Sequence, residues 1–447
     1  MRFTTLSARD ARAPGEGFSN AEASRSANTP LLDYLYLLRS RYLMMTTRQN
    51  LTRFCIKLEV AMIYSFGATN YFSFKEGMEI SFELSAKTPK SISNGRKAST
   101  VLGVKGANAS GKTNVLKAIS FIAKFITDSF NYKEDEELGF KNFFTNEEPS
   151  NFFVDFELNS IRYSYELTAT PKKVIREALY KKLQRKTLLV ERRKNIIVKR
   201  VEELSSIDIV ELKSNASLIS TVLKYKLKTT DSDFQIIAKY FNNFSGNTTV
   251  HGVVPDEYVF DQGSVSEFYA ENDDAFEFTK KIIRNSDLGI DDIVIHKYEA
   301  PTGKTEYLPI FRHKLNDGTV RHLTSYDQSS GTMALYRRLG IYWCMLYSGG
   351  VLIMDEFDQN CHPMLLPQII ELFEDPTVNI GGAQFLFTAH NSDIIDHLGK
   401  YRTILVGKDD GESFCYRLDQ IPGDLIRNDR SIAALYREGK IGGIPRL

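Results

Sequence analysis

Eight consecutive residues, Gly106-Ala107-Asn108-Ala109-Ser110-Gly111-Lys112-Thr113, have the types and the spacing needed to hold a row of phosphates. Glycines let successive backbone N–H groups turn inward around an anion. A helix beginning at the end of the loop adds the positive end of its dipole. Lys112 reaches the β and γ phosphates, and the Thr113 hydroxyl ligates magnesium. The candidate nucleotide-binding set is therefore Gly106, Asn108, Ser110, Gly111, Lys112, Thr113 and Asn114. Such a loop works only between a strand and a helix. Val101 to Val104 is a short apolar run, and Val115 to Phe130 places Leu116, Ile119, Phe121, Ile122 and Phe125 at helical spacing.

A second cluster follows far along the chain. Val351-Leu352-Ile353-Met354 reads as a buried strand that delivers Asp355 and Glu356 to its carboxyl end, the edge where open α/β sheets bind ligands. Apolar strands often end in acids, so the pair gains meaning only beside the phosphate loop. There Asp355 is the candidate magnesium ligand, directly or through water. Glu356 is the candidate base that polarises an attacking water. Gln328-Ser329-Ser330-Gly331-Thr332 precedes a helix expected over Met333 to Leu346, and is either a plain N-cap or a second anion cradle. Finally, Phe385-Leu386-Phe387-Thr388 is an apolar strand ending in Ala389-His390-Asn391-Ser392. One helix-and-strand unit after the acidic strand, His390 should emerge beside the γ-phosphate.

The elements around these motifs can be read coarsely. Ile63 to Phe66 and Met78 to Leu84 alternate apolar and polar residues, and Phe152 to Leu158 with Ile161 to Leu167 form a hairpin across Asn159-Ser160. Residues 170 to 300 are mixed and charged without a sustained heptad, which predicts a compact helical insertion rather than a coiled-coil arm. Within it Lys172 to Arg200 is basic, either a solvated helix or hairpin face or a nucleic-acid contact. Before Met62 the basic residues are almost all arginine, whereas lysine predominates after it. Residues 1–61 are read as a disordered or mis-called extension, with translation from Met62; an Arg-rich targeting or nucleic-acid arm is the other reading.

With 447 residues and a net charge of +1 the chain carries no global basic field, and 42% hydrophobic residues suffice for a large core. Cys55, Cys344, Cys361 and Cys415 are scattered, which argues against a zinc site or a disulfide framework. Leu339 to Met354, the most apolar stretch, is too short and too interrupted for a membrane span, and a cytoplasmic protein is expected.

The four motifs, in this order, resemble the ABC-type ATPase heads of SMC-like proteins. The resemblance implies an α/β fold: an ABC/SMC-like P-loop NTPase head with a mixed helical insertion. Its lobes would be 62–170, carrying the phosphate loop, and 301–447, carrying the other three motifs, around a mainly helical subdomain at 171–300. It implies ATP and Mg2+ as cofactors. It makes Ser329, Ser330 and Gly331 the signature turn that completes the ATP site of a second molecule, in a homodimer or higher homo-oligomer. It makes His390 the switch histidine, and Asp358 to Pro363 the D-loop.

A closer match is the bacterial AAA/OLD-like ATPase group of RloA-like, AbiL and PARIS AriA-like phage-defence proteins. Phe66 to Phe74 resembles its opening strand, Asp355-Glu356-Phe357-Asp358-Gln359-Asn360-Cys361-His362-Pro363 its D-E-F-D-x-x-x-H-P segment, and Glu438 to Pro445 its ending. The insertion matches loosely, through Asn215 to Ser220 and the Asp287 to Ile290 turn. His362 stands where ABC transporters have an acid, and no Q-loop glutamine is assigned. Little more than fifty residues follow His390, too few for the fused TOPRIM nuclease of OLD proteins. The expectation is an ATPase acting as sensor and scaffold in anti-phage defence, with a separate toxic effector, a small TOPRIM-type nuclease. The alternatives are a DNA repair or recombination ATPase acting on DNA and, fitting less well, a transporter subunit.

Overall fold

Residues 61–225, 233–255, 259, 261–286, 289–301, 303–422, 426 and 430–443 are described by the computed structural model. The arginine-rich segment before Ala61, residues 287 and 288 of the turn and residues 444–447 of the ending lie outside them.

Alternating side chains build the first sheet. The strands β1 (Ala61–Thr69) and β2 (Met78–Ser81) pair antiparallel. β3 (Val101–Gly106) enters another sheet and leads through the phosphate loop into helix α1 (Lys112–Asp128). The chain then returns through β4 (Ser150–Leu158), β5 (Ile161–Ala169), β6 (Val174–Lys182), β7 (Lys186–Arg193) and β8 (Ile196–Arg200). The resulting antiparallel order is β2-β1-β4-β5-β6-β7-β8. Between β4 and β5 the expected hairpin is present: Asn159 (φ 51°) and Ser160 (φ 64°) both take the left-handed conformation that a two-residue turn requires.

After this sheet come α2 (Leu218–Tyr225), α3 (Asp233–Asn242), β9 (Phe244–Gly246), β10 (Thr248–Thr249) and β11 (Gly252–Val253). Helices α4 (Gln262–Glu271) and α5 (Asp273–Ser286) precede an antiparallel meander of β12 (Ile290–Glu299), β13 (Thr305–Lys314) and β14 (Val320–Thr324). The last third of the chain contains α6 (Ser330–Ser348), β15 (Val351–Met354), α7 (Leu365–Glu374) and β16 (Gln384–Thr388). It continues with α8 (Ile394–Leu398), β17 (Thr403–Asp409), β18 (Glu412–Arg417) and α9 (Ile432–Arg437).

The second sheet has the order β18-β17-β3-β16-β15-β9, parallel except for β18. Every residue of β15 and β16 is buried, as central parallel strands covered on both faces require. Register sets the edge of the site. Val351 pairs with Gln384 and Met354 with Phe387, while Phe385 pairs with Val101 and Thr388 with Val104. The carboxyl ends of β3, β15 and β16 therefore lie at the same edge of the sheet, with β3 running two residues past the last pair.

A buried amide helps stitch the two sheets together. β1 has a register shift between Ile63 and Ser65; Ile63 pairs with Phe156 of β4, but β2 pairs only Ser65 to Ala68 and leaves the other edge of Ile63 outside that ladder. Gln384 supplies the replacement: its Oε1 accepts from the Ile63 N–H (2.6 Å), and its Nε2 donates to the carbonyls of Ile63 (2.9 Å) and Ser99 (3.1 Å). A polar residue at the head of an apolar strand thus satisfies backbone groups that burial would otherwise orphan.

The insertion differs from the mainly helical subdomain expected at 171–300. Its first thirty residues, β6 to β8, extend the antiparallel sheet, and β9 joins the parallel one; helices occupy only its middle. β6 and β7 bury runs of consecutive central residues and β8 is largely exposed, so these strands carry no strong helical period, and cross-strand pairing decided the outcome. The basic run forms strands in which several cations pair with carboxylates, among them Arg176 with Glu166, Lys181 with Asp233, and Arg200 with Asp208. Arg192 and Glu177 form a fully buried pair (2.9 Å). They also explain the Asn215 to Ser220 stretch. The Glu177 carboxylate accepts from the Leu218 N–H, Arg192 donates to the Ala216 carbonyl, and Asn215 donates to the Lys133 carbonyl. The stretch docks α2 onto the end of α1, a structural task.

Candidate functional site

The phosphate loop begins where β3 ends. Gly106 has no room for a side chain: a Cβ there would lie 2.3 Å from the Val406 carbonyl oxygen. Ala109 (φ 61°) and Gly111 (φ 110°) are left-handed, which curls the loop so that its N–H groups converge. Asn108 and Ala109 are exposed at the tip. Ser110 is buried, its carbonyl accepting from the Ser413 hydroxyl (2.7 Å), so β18 braces the loop from behind. Asn114 donates to Ser73 (3.1 Å) and ties the first turn of α1 to the segment after β1. Lys112 folds back over the loop, donating to the carbonyls of Gly106 and Ala107 (both 2.8 Å). Burial pulls its ammonium below the usual lysine range, with Asp355 and Glu356 pulling the other way.

The second cluster meets the first. Thr113 Oγ1 donates to Asp355 Oδ2 at 2.6 Å across 242 positions of sequence. Asp355 is buried, and its other oxygen accepts from the Thr388 hydroxyl. Its backbone is gripped by a residue from the insertion: Asn247 Oδ1 accepts from the Asp355 N–H (2.7 Å), and Asn247 Nδ2 donates to the Asp355 carbonyl (2.9 Å). Glu356 is left-handed (φ 50°), an unfavourable conformation for a non-glycine residue. It is retained by the Thr388 hydroxyl, which accepts from the Glu356 N–H at 2.8 Å, and by the Thr388 carbonyl, which accepts from the Phe357 N–H at 2.9 Å. His390 stands opposite, its Nε2 3.4 Å from Glu356 Oε1, with both side chains about half exposed.

The third motif stands at the start of α6, beside the segment that follows Glu356. Ser329 N-caps α6, its hydroxyl accepting from the Thr332 N–H (3.1 Å), and Ser330 is exposed on the first turn. A Cβ on Gly331 would approach the Asn360 carbonyl to 3.1 Å, so a side chain there would press on the segment that follows Glu356. Arg338, buried one helical stretch further on, donates to the carbonyls of Phe357 and Gln359 (3.0 and 3.2 Å). Helix α6 and the 357–360 segment are thereby coupled. Among the described residues no hydrogen bond joins Ser329, Ser330 or Gly331 to Gly106–Thr113. The structure thus gathers Lys112, Thr113, Asp355, Glu356 and His390 and leaves the Ser329-Ser330-Gly331 turn outward.

Sequence reasoning missed Asn247, which has no motif around it, and the role of Thr388. It also passed over Lys105, a lysine inside the apolar run that leads into Gly106, although that placement is a readable signal.

Oxygen donors of this kind suit a hard cation. Thr113 Oγ1 and the Asp355 carboxylate already lie side by side, and magnesium commonly takes one or two protein oxygens with phosphate and water completing its shell. Among the described residues no group of three or more His, Cys, Asp or Glu converges as a separate metal site, and no helix is long and apolar enough to cross a membrane.

The family described as "AAA domain, putative AbiEii toxin, Type IV TA system" matches residues 101–396, a span that contains all four motifs. No curated protein matches. Among solved structures, the SMC head domain from Thermotoga maritima is 13% identical and is covered over 98% of its length by 79% of this chain, with a TM-score of 0.39. An SmcHead bound to the C-winged helix domain of ScpA is 12% identical, covered over 96% by 79% of this chain, with a TM-score of 0.43. The Smc head domain from Pyrococcus furiosus, with an extended coiled coil and bound to the C-terminal domain of ScpA, is 12% identical, covered over 98% by 81% of this chain, with a TM-score of 0.41.

Proposed function

The chain belongs to the AAA-domain family matched over residues 101–396, and from that premise we propose that it binds ATP with Mg2+ and hydrolyses it to ADP and phosphate. The observation that carries the proposal is the meeting of Thr113 and Asp355 beside Lys112, Glu356 and His390. Bound Mg2+ supplies positive charge that neutralises phosphate oxygens. The protein's own groups do the rest. Backbone N–H groups of the loop cradle the phosphates, and Lys112 swings from the Gly106 and Ala107 carbonyls to the β and γ oxygens. Glu356, half exposed at the end of β15, orients a water and takes its proton. His390 Nε2 hydrogen-bonds the γ-phosphate and keeps Glu356 in place. Calorimetry tests the assignment: Lys112→Ala is expected to lose measurable Mg·ATP binding, and unchanged affinity removes it.

The exposed Ser329-Ser330-Gly331 turn supports the finer reading, in which two copies sandwich ATP between the phosphate loop of one and the turn of the other, as a homodimer or higher oligomer. The family description names a toxin system, which favours a sensor and scaffold in anti-phage defence over a DNA repair ATPase. Its effector would be a separate protein, a small TOPRIM-type nuclease encoded nearby. Copurification of the native operon product tests this: a recombination nuclease in place of a toxic effector would overturn the defence role.

A further inference from the structure

Lys105 is the penultimate residue of β3, directly before Gly106, and is only 1% exposed. It follows Val101, Leu102 and Val104 in an otherwise apolar central strand. A buried ammonium is unfavourable unless its hydrogen-bonding capacity is met, and a leucine or methionine would fill the space without that cost. The partners that meet it are specific. Lys105 Nζ donates to the carbonyl of Ala389 at 2.5 Å and to the carbonyl of Asn391 at 2.9 Å, the two residues flanking His390. The other side of the same turn is held by Asp358, whose Oδ2 accepts from the N–H groups of His390 (2.8 Å) and Asn391 (2.7 Å). Burial pushes the Lys105 ammonium down to about 8; Asp358 and Asp393 oppose the shift and Lys112 adds to it.

The histidine side chain is half exposed, and among the described residues its hydrogen-bonding partner is Glu356 at 3.4 Å, so its own contacts do little to hold it. What fixes the imidazole is the main chain on either side of it. We propose that Lys105 is a positioning residue for His390: its two hydrogen bonds fix the backbone around the imidazole and lock the histidine turn to the strand that delivers the phosphate loop. The proposal rests on the reading of His390 as facing the γ-phosphate. Without the Lys105 contacts the carbonyls on either side of His390 lose these partners while Asp358 still holds the amides, and the imidazole loses its register against Lys112 and Thr113.

Lys105→Met keeps the apolar stem and removes the donors. A misplacement of about 1 Å can cost about a hundredfold in rate. The expected result is therefore a kcat lower by about ten- to a hundredfold, with KM within about twofold of wild type. In a His390→Ala background the same substitution is expected to change kcat by less than about twofold, because the two residues act as one unit. A merely structural role would give the same fold-loss in both backgrounds, and that outcome, or a full kcat in Lys105→Met, overturns the proposal.

A second readout needs no turnover. Hydrogen exchange on the nucleotide-free protein should show the His390 and Asn391 amides exchanging at least about tenfold faster in Lys105→Met, with β3 and β16 unchanged. Unchanged exchange at the turn overturns the positioning role even if the wild type proves inactive, whereas an inactive wild type with the expected exchange overturns the ATPase reading alone. Should Lys105→Met fail to fold, Lys105→Gln, which keeps one amide donor group, takes its place. Its expected exchange is intermediate, and wild-type exchange refutes the role.

Discussion

Asn247→Leu is the perturbation that most directly tests how the acidic strand end is held. Asn247 is 4% exposed, and its amide makes a two-point clasp on the backbone of Asp355 at 2.7 and 2.9 Å. Leucine has a similar volume and no polar atoms. The Asp355 N–H and C=O would both lose their partner, and a buried orphaned group costs about 1–3 kcal/mol, so the pair costs about 2–6 kcal/mol before any repacking. Some of that is offset by burying a leucine, which leaves an expected loss near 3 kcal/mol. Urea unfolding of the folded nucleotide-free protein measures it. The same clasp sets where the Asp355 carboxylate stands relative to Thr113, so Mg2+ dependence of nucleotide binding should weaken by about tenfold. An unfolding free energy within about 0.5 kcal/mol of wild type, together with unchanged Mg2+ dependence, would refute the view that the insertion positions the acidic strand end.

Three further outcomes are expected. Glu356→Gln should bind Mg·ATP normally and turn it over about a hundredfold or more slowly, measured by phosphate release; normal turnover excludes Glu356 as the base. Ser330→Arg should retain ATP binding and lose ATPase activity and ATP-dependent assembly. Mixing it with Lys112→Ala should restore part of the activity, since one shared site then joins an intact loop to an intact turn; full activity of Ser330→Arg alone removes the signature role. The third concerns pH. Lys105 releases its proton near pH 8 in the folded protein and near its ordinary 10.5 when unfolded. Between those values the unfolded chain holds more protons, so stability contributed at this position rises with pH, while below pH 8 it is flat. The difference in unfolding free energy between wild type and Lys105→Met should accordingly grow in favour of the wild type between pH 8 and 10, and a constant difference would contradict the depressed value.

The phosphate loop, the acidic pair, the strand that ends at His390 and the Ser-Ser-Gly turn could all be picked out in the chain, because each is a short run of distinctive residue types. Their strands were legible too: Val351–Met354 has the bounds its apolar run implies, and Gln384–Thr388 starts one residue before the run that begins at Phe385. Helix α1 starts three residues before its first apolar residue, because the loop itself, with Lys112 and Thr113, forms the first turn. Local pattern failed where partners are remote. Nothing around Lys172 to Arg200 says that its strands continue the sheet begun at Ala61, since sheet pairing depends on what lies alongside. Likewise Asn247 clasps Asp355 across 108 positions, Thr388 bonds it across 33, and Lys105 reaches Ala389 across 284. Short motifs thus determined which groups could do the chemistry. Only the tertiary structure decided which buried amide, hydroxyl and ammonium hold them in place, because satisfying a buried polar group is a matter of three-dimensional neighbours.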